Sequence, residues 1–410
     1  MGQAGRRAPY PPPMRTPHDP IARRRLAALC ALAAAAGLTG VAVGSALGGD
    51  ERDGDSENAA RSSRDGRAPA AGRDAGAGSE EGPPIEQQVG QLLLMSFDGT
   101  SQPEYIRRRL RRGEGAGVIL FAKNALDAEG LDALTAQLQR AGRGGALVAT
   151  DQEGGDIRSV PFAEPETSQG SLPIPAEAAA AAGEGASQLR DAGVNVNLAP
   201  VADVASGSGS IMSGRAYPGG AELVTQLVAA AVDAHEDERV AATAKHFPGL
   251  GAAEANTDDA AVTIDSPRPQ LERRDLPPFE AAIEAEVPLI MASHALYPAL
   301  DQRQIASQSR AVLVDLLRDQ LSFRGVVVTD SIEAQAVLER ADVATAAERS
   351  IAAGADLVLM SGSNSWNEVY PALLERARRD SGFRARVAEA ATRVRALKSQ
   401  LGLRAPRAEP

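Results

Sequence analysis

The run VAATAKHFPGLG (240–251) ends a stretch of small apolar side chains in a cation and an imidazole, Lys245 and His246, and then breaks at Pro248-Gly249. A buried lysine is rare without a partner, so this pair points to ligand binding rather than core filling. Pro248 and Gly249 fix a turn that can bring both donors towards one ligand. Three other apolar runs end in acids: ALVATD at Asp151, VNVNLAPVADV at Asp203 and GVVVTD at Asp330, while VPLIMASH ends at His294. Asp151 stands before a Gly-Gly turn. It could cap backbone N–H groups or accept hydrogen bonds from substrate hydroxyls. Asp330 could cap the helix of SIEAQAVLER, or serve as nucleophile or as a charge stabiliser for a cationic transition state.

Elements must bring these residues together. The apolar runs 91–97, 115–121, 146–151, 194–204, 240–246, 287–294, 325–330 and 355–360 are of strand length, and their near-continuous hydrophobicity indicates burial on both faces. Amphipathic segments such as LDALTAQLQR (131–140), AELVTQLVAAAVDAHE (221–236) and SRAVLVDLLRDQL (309–321) lie between them. Alternation of this kind means a parallel sheet with right-handed crossovers. Eight units fit an α/β chain closed as a (β/α)8 TIM-type barrel, with an open doubly wound sheet as the alternative. No GxGxxG follows the first strand, which weighs against dinucleotide binding. A barrel gathers its chemistry where strands end, and Asp151, Asp203, Lys245, His246, His294 and Asp330 all fall there.

The rest of the chain bounds its surroundings. A net charge of −11 argues against a nucleic-acid surface. Only 3% of residues are aromatic, so aliphatic side chains must fill the core. The one cysteine, Cys30, cannot form an internal disulfide, and no His/Cys/carboxylate cluster has metal-ligand spacing. No metal or cofactor is expected, and the barrel is read as a monomer. Residues 1–25 form a basic tail ending in Arg23-Arg24-Arg25, and 26–49 are an uncharged run long enough to span a bilayer. An uncleaved single-pass anchor, with the barrel outside, and a signal peptide cleaved near Gly44-Ser45-Ala46 are both compatible with it. Residues 50–84 hold almost no large apolar side chains and read as a disordered linker, leaving 85–403 as the barrel domain.

DQEGG at 151, NLAPVADV at 197, RAYPGGAELV at 215, KHFPG at 245, MASHALYPALD at 291 and GVVVTDS at 325, in this order, resemble the family 3 glycoside hydrolases, particularly the single-domain β-N-acetylhexosaminidases. The resemblance spans about residues 85 to 400. It implies a (β/α)8 barrel with Asp330 as nucleophile, Asp151, Arg215, Lys245 and His246 holding sugar hydroxyls, and Met291 and His294 lining the same pocket. It also implies a retaining hydrolase of terminal β-linked N-acetylhexosamine, with cell-wall muropeptides as the substrate source.

The pattern breaks at the acid/base. Barrel-only members read KHFPGHG…DSH, and the final histidine protonates the leaving oxygen. Here Leu250 stands for the first histidine, and DSH falls on Asn256-Thr257-Asp258. His18 lies in the tail and His235 on a helix of the barrel wall, so neither can substitute. Asp258, with Glu254 and Asp259 nearby, is the available acid if its pKa is raised. Otherwise the barrel is a weak or inactive sugar-binding protein; a β-glucosidase-like enzyme is a further reading. Two other columns differ: Asp156 and Ser159 stand where arginines are usual, with Arg158 one place early. Tyr217, Phe247, Tyr297 and Trp366 are the candidate aromatic platforms for a sugar ring.

Overall fold

The computed structural model describes residues 83–404. The eight apolar runs each contribute a strand. They are β1 (Leu93–Met95), β2 (Gly117–Leu120), β3 (Leu147–Thr150), β6 (Val196–Asn197), β7 (Thr243–Phe247), β8 (Leu289–Ala292), β9 (Val326–Ser331) and β10 (Leu357–Leu359). The remaining two, β4 (Gln152–Gly154) and β5 (Ile157–Arg158), make an antiparallel hairpin just beyond Asp151. DQEGG by itself suggests only a Gly-Gly turn there.

Neighbours in the sheet run in the order β6-β3-β2-β1-β10-β9-β8-β7, every pair parallel. The two ends meet: Val196 bridges Ala241 in parallel, Asn197 N–H donates to Ala241 O at 2.9 Å and Ala241 N–H to Asn195 O at 3.0 Å. This closure makes a barrel and removes the open-sheet alternative. The anticipated helices also form, at Ala128–Ala141 and Ala221–Asp237, while Ala311–Gln320 winds as a π-helix. Asp127 caps the first of these through Gly130 N–H at 2.8 Å.

Alternation of side chains along each strand sorts the core into layers. Leu289 and Met291 join Leu147, Ala149, Val326 and Val328 inside the barrel, whereas Ile290 and Ala292 face the surrounding helices. The same period carries Leu147 and Ala149 on to Asp151, and Val326 and Val328 on to Asp330. Helix Ser381–Gln400 sends Val394 and Leu397 into the interior cluster, at the end where strands begin. Beside it the buried Asp356 accepts from Arg318, Arg386 and Arg393. The charged strand ends and this structural ion cluster thus occupy opposite ends of the barrel. All three apolar clusters lie within the described residues, so the barrel carries its own core.

The expected tail (1–25) and anchor (26–49), and all but the last two residues of the linker, lie outside the described residues. Among those described, no helix is long and apolar enough to cross a membrane.

Candidate active site

Lys245, at the interior side of β7, reaches two carboxylates at once: Asp151 Oδ1 and Glu153 Oε1, each at 2.6 Å. Glu153 is also gripped by Arg215, through Nε to Oε2 at 3.0 Å and Nη2 to Oε1 at 2.7 Å. Burial alone would raise the Glu153 carboxyl, but Lys245 and Arg215 outweigh it and hold it at about 2. Burial would equally discharge Lys245; Asp151 and Glu153 overcome it and raise the ammonium above its ordinary value. The result is a fixed set of charges at one side of the mouth, with Asp151 and Arg215 partly open to solvent.

His246 is oriented from behind. The fully buried Asp203 takes Nδ1–H at 2.8 Å through Oδ2, while its Oδ1 accepts the backbone N–H of His246 at 3.2 Å and of Leu250 at 2.6 Å. A carboxylate can only accept here, so the proton sits on Nδ1 and Nε2 is turned towards Asp330 Oδ2, 3.9 Å away. Burial pushes the Asp330 carboxyl up, but His246, His294 and the Ser331 N–H outweigh it and leave it below the usual carboxylate value. Asp330 Oδ1 accepts that N–H at 2.7 Å. It caps no helix: the helix Gln335–Leu338 begins at Ala334 without a side-chain cap.

The residue after Asp330 is clamped. His294 Nε2 donates to Ser331 O at 2.9 Å and Nδ1 accepts from Ser307 Oγ at 2.7 Å. Both ring nitrogens are used, and burial lowers the His294 pKa from its ordinary value. The Ser331 hydroxyl meets Ser361 Oγ at 2.6 Å and donates to Glu333 Oε2 at 3.1 Å, which also accepts Ser361 N–H at 2.9 Å.

The loop after β7 is tied on both flanks. Tyr297 Oη donates to Gly249 O at 3.0 Å, Ser206 N–H to Gly251 O and Ile211 N–H to Ala253 O. Further on, Ala336 N–H donates to Thr257 O at 3.0 Å and Gln335 N–H to Asp258 O at 3.1 Å. Those last two bonds dock Asp258 onto the segment that follows Asp330. Gly251 is required: a Cβ there would lie 1.9 Å from Val204 O. Leu250, where a histidine might stand, is buried in the helix-side core. Asn256 Oδ1 accepts Asp258 N–H at 3.1 Å and its amide donates to Asp258 Oδ2 at 3.3 Å. Asp258 keeps an exposed surface at the rim. Partial burial and then the negative Asp330 raise its pKa above the ordinary value. Two carboxyls at one barrel mouth are therefore pushed in opposite directions.

The family profile of the glycosyl hydrolase family 3 N-terminal domain matches residues 84–397. The chain belongs to glycosyl hydrolase family 3. An uncharacterized secreted glycosyl hydrolase of Arthroderma benhamiae is 32% identical, over 77% of this chain and 93% of that relative. A beta-hexosaminidase of Nitrosomonas eutropha is 30% identical, over 65% of this chain and 80% of its own. Among solved structures, a family 3 beta-N-acetylglucosaminidase from Paenibacillus sp. str. FPU-7 superposes with a TM-score of 0.75 at 32% identity, over 80% of this chain and 64% of that longer one. A beta-N-acetylhexosaminidase from Beutenbergia cavernae gives 0.71 at 32%, over 77% and 99%.

In this family 3 barrel the anticipated site residues do not all share one surface. Asp151, Arg215, Lys245, His246, Asp258 and Asp330 gather at the mouth. His294 is fully buried behind Ser331, and Met291, 1% exposed, belongs to the interior apolar layer below. The aromatic platforms are not there. Tyr217, Phe247 and Tyr297 are buried in the helix-side core, because an aromatic-poor chain uses its few rings as packing. Trp366 stacks on Tyr370 at 4.5 Å, lies against Arg109 and donates Nε1–H to Glu114 O. Arg158 bonds the carbonyls of Pro161 and Ala163 in its own loop, Asp156 is exposed, and Ser159 N–H donates to Asp151 O. Glu254 and Asp259 are exposed. Glu153 was not singled out in the sequence, although it shares the face of Asp151 by the period of two. Asp203 and Glu333 gave no comparable sign of their partners.

Proposed function

We propose that this chain is an exported glycosidase that releases terminal β-linked N-acetylhexosamine with retained configuration, the sugar coming from cell-wall muropeptides. The observation that carries this reading is the meeting of Asp330 and Asp258 at one mouth with opposite pKa displacements, the usual mark of a base or nucleophile beside an acid. Asp330 Oδ2 attacks the anomeric carbon as its bond to the leaving oxygen breaks, and protonated Asp258 gives that oxygen its proton. A glycosyl ester on Asp330 results. Asp258, now ionised, takes a proton from water, which attacks the same carbon and frees Asp330. Lys245, Asp151 and Arg215 hold the sugar hydroxyls. The donor His246 Nδ1–H is committed to Asp203, so Nε2 is left to meet sugar or Asp330.

Relatives named beta-hexosaminidase support the sugar class. The relative named as secreted supports export, and the arginines at 23–25 with the uncharged run 26–49 support anchoring by that run. A second reading, a sugar-binding barrel with little turnover, is favoured by the solvent exposure of Asp258 and by Leu250 in a histidine's place. Aryl β-N-acetylglucosaminide and aryl β-glucoside separate these readings. Release from the first alone supports the proposal, release from the second alone replaces it with a β-glucosidase, and sugar binding without release favours the second reading.

A further inference from the structure

The protein carries −11 overall, yet one edge is strongly basic. Arg107, Arg108, Arg111 and Arg112 are exposed on helix Glu104–Arg112, and Arg140 and Arg143 are exposed at the end of helix Ala128–Ala141. They line two adjoining surface concavities of about 300 and 420 Å³. Among the described residues, Glu104 bonds Arg107 at 2.6 Å and Glu114 approaches Arg112 at 3.8 Å, while Arg108, Arg111 and Arg140 have no carboxylate partner. Favourable interaction with the helix C-terminus accounts for arginines in a last turn. It does not account for Arg107 and Arg108, one turn earlier.

The place of this edge matters. Helix Glu104–Arg112 ends at Gly113, four residues before β2 begins, so its basic end lies where strands start, opposite Asp330. The described chain enters at the same spot. A Cβ on Gly113 would stand 3.2 Å from Gln87 Cγ, and one on Gly90 2.0 Å from Gly113 O, so helix Ile85–Gly90 packs directly on the end of the arginine helix. Thirty-three residues, 50–82, separate this point from the uncharged run 26–49.

We propose that the arginine edge is a docking surface for the anionic phospholipid headgroups of the membrane from which the chain emerges, holding the barrel with its base to the lipid and its mouth outward. This rests on the anchoring reading above. Guanidinium groups suit phosphate through paired N–H donors, and an anionic leaflet attracts basic residues within about a Debye length. Seated this way, the mouth faces away from the bilayer, towards polymeric substrate.

The test uses residues 78–410, a compact unit with its own core, so that binding cannot come from the anchor run. Sedimentation with phosphatidylglycerol-containing vesicles should pull the unit down, pure phosphatidylcholine should not, and added salt should release it. Each basic residue near such a surface is worth about fivefold in partitioning. The triple variant Arg108→Gln/Arg111→Gln/Arg140→Gln should therefore lose on the order of 100-fold, and Arg268→Gln/Arg273→Gln, on a different helix, almost nothing. No binding by the parent, or equal binding by the triple variant, overturns the proposal. So does displacement by inorganic phosphate at matched ionic strength, which would mean a small-anion site. Aryl glycoside turnover should be unchanged in the triple variant, since Arg108, Arg111 and Arg140 lie on helices that end where strands start. Absent turnover in the parent would count against the proposed reaction and leave the docking result standing.

Discussion

His246 Nε2 stands 3.9 Å from Asp330 Oδ2, and the other nitrogen of that ring is locked by a carboxylate, Asp203, with no exposed surface. The imidazole therefore cannot turn away. Asp330 is also steadied by His294 through Ser331 O. Two histidines bear on one carboxylate, one beside its oxygen and one through the carbonyl of the next residue.

Removal of the Asp330 charge should end catalysis without unfolding the barrel. Asp330→Asn should keep the parental circular dichroism and melting temperature within a few degrees while release from aryl N-acetylglucosaminide falls to background. Turnover within tenfold of the parent would exclude Asp330 as nucleophile.

Asp258→Asn should cost about 10²–10⁴-fold on substrates with poor leaving groups and far less on activated aryl glycosides, which need no proton. The pH profile carries the sign. On the proposed roles, activity requires Asp330 ionised, with its pKa lowered, and Asp258 protonated, with its pKa raised, so the rate should fall on the acid side as Asp330 gains a proton and on the alkaline side as Asp258 loses one. The alkaline limb should vanish in Asp258→Asn. Equal losses on both classes of substrate, with the limb intact, would reject the assignment.

Glu153→Gln should weaken both binding and stability, because it leaves Lys245 and Arg215 short of a counter-charge. Breaking a buried pair by removing one partner costs about 3–5 kcal/mol, readable as a lowered urea midpoint. The folded carboxyl sits at about 2, below roughly 4.3 for an unfolded glutamate. Its contribution is complete above that unfolded value and is lost as pH falls through the folded one. The difference between parent and variant should accordingly shrink below about pH 4. A gap that stays constant to low pH would contradict the linkage.

At the opposite end, Lys398 is buried with Nζ on Gln91 Oε1 at 2.8 Å, and burial brings its pKa down to about 7. An unfolded lysine titrates near 10.4, so folding sheds a proton and the parent gains stability between about pH 7 and 10. Lys398→Met should raise the thermal midpoint at pH 6 and have little effect at pH 10. A gain of the same size at both values would show that the ammonium is paired rather than stranded.

Much of the fold was legible because its signals are local. Runs such as VPLIMASH and GVVVTD have the length and near-continuous hydrophobicity of strands buried on both faces, and the period of two carries Val326 and Val328 directly to Asp330. The same arithmetic aims Glu153 beside Asp151, a signal present in DQEGG. The aromatic reading went wrong because exposure is not a local property: Tyr217, Phe247 and Tyr297 sit near strand ends, yet outward-facing helices cover them.

By itself the sequence determined the strand-helix alternation and the end of the barrel at which charges collect, because residue order and side-chain period fix these. Only the tertiary structure decided that the sheet closes, through Val196 and Ala241, that Asp203 stands behind His246, and that Lys245 is shared between two carboxylates 94 and 92 residues away (245 − 151 and 245 − 153). Those pairings depend on distances between chain segments, and no periodicity within a segment encodes them.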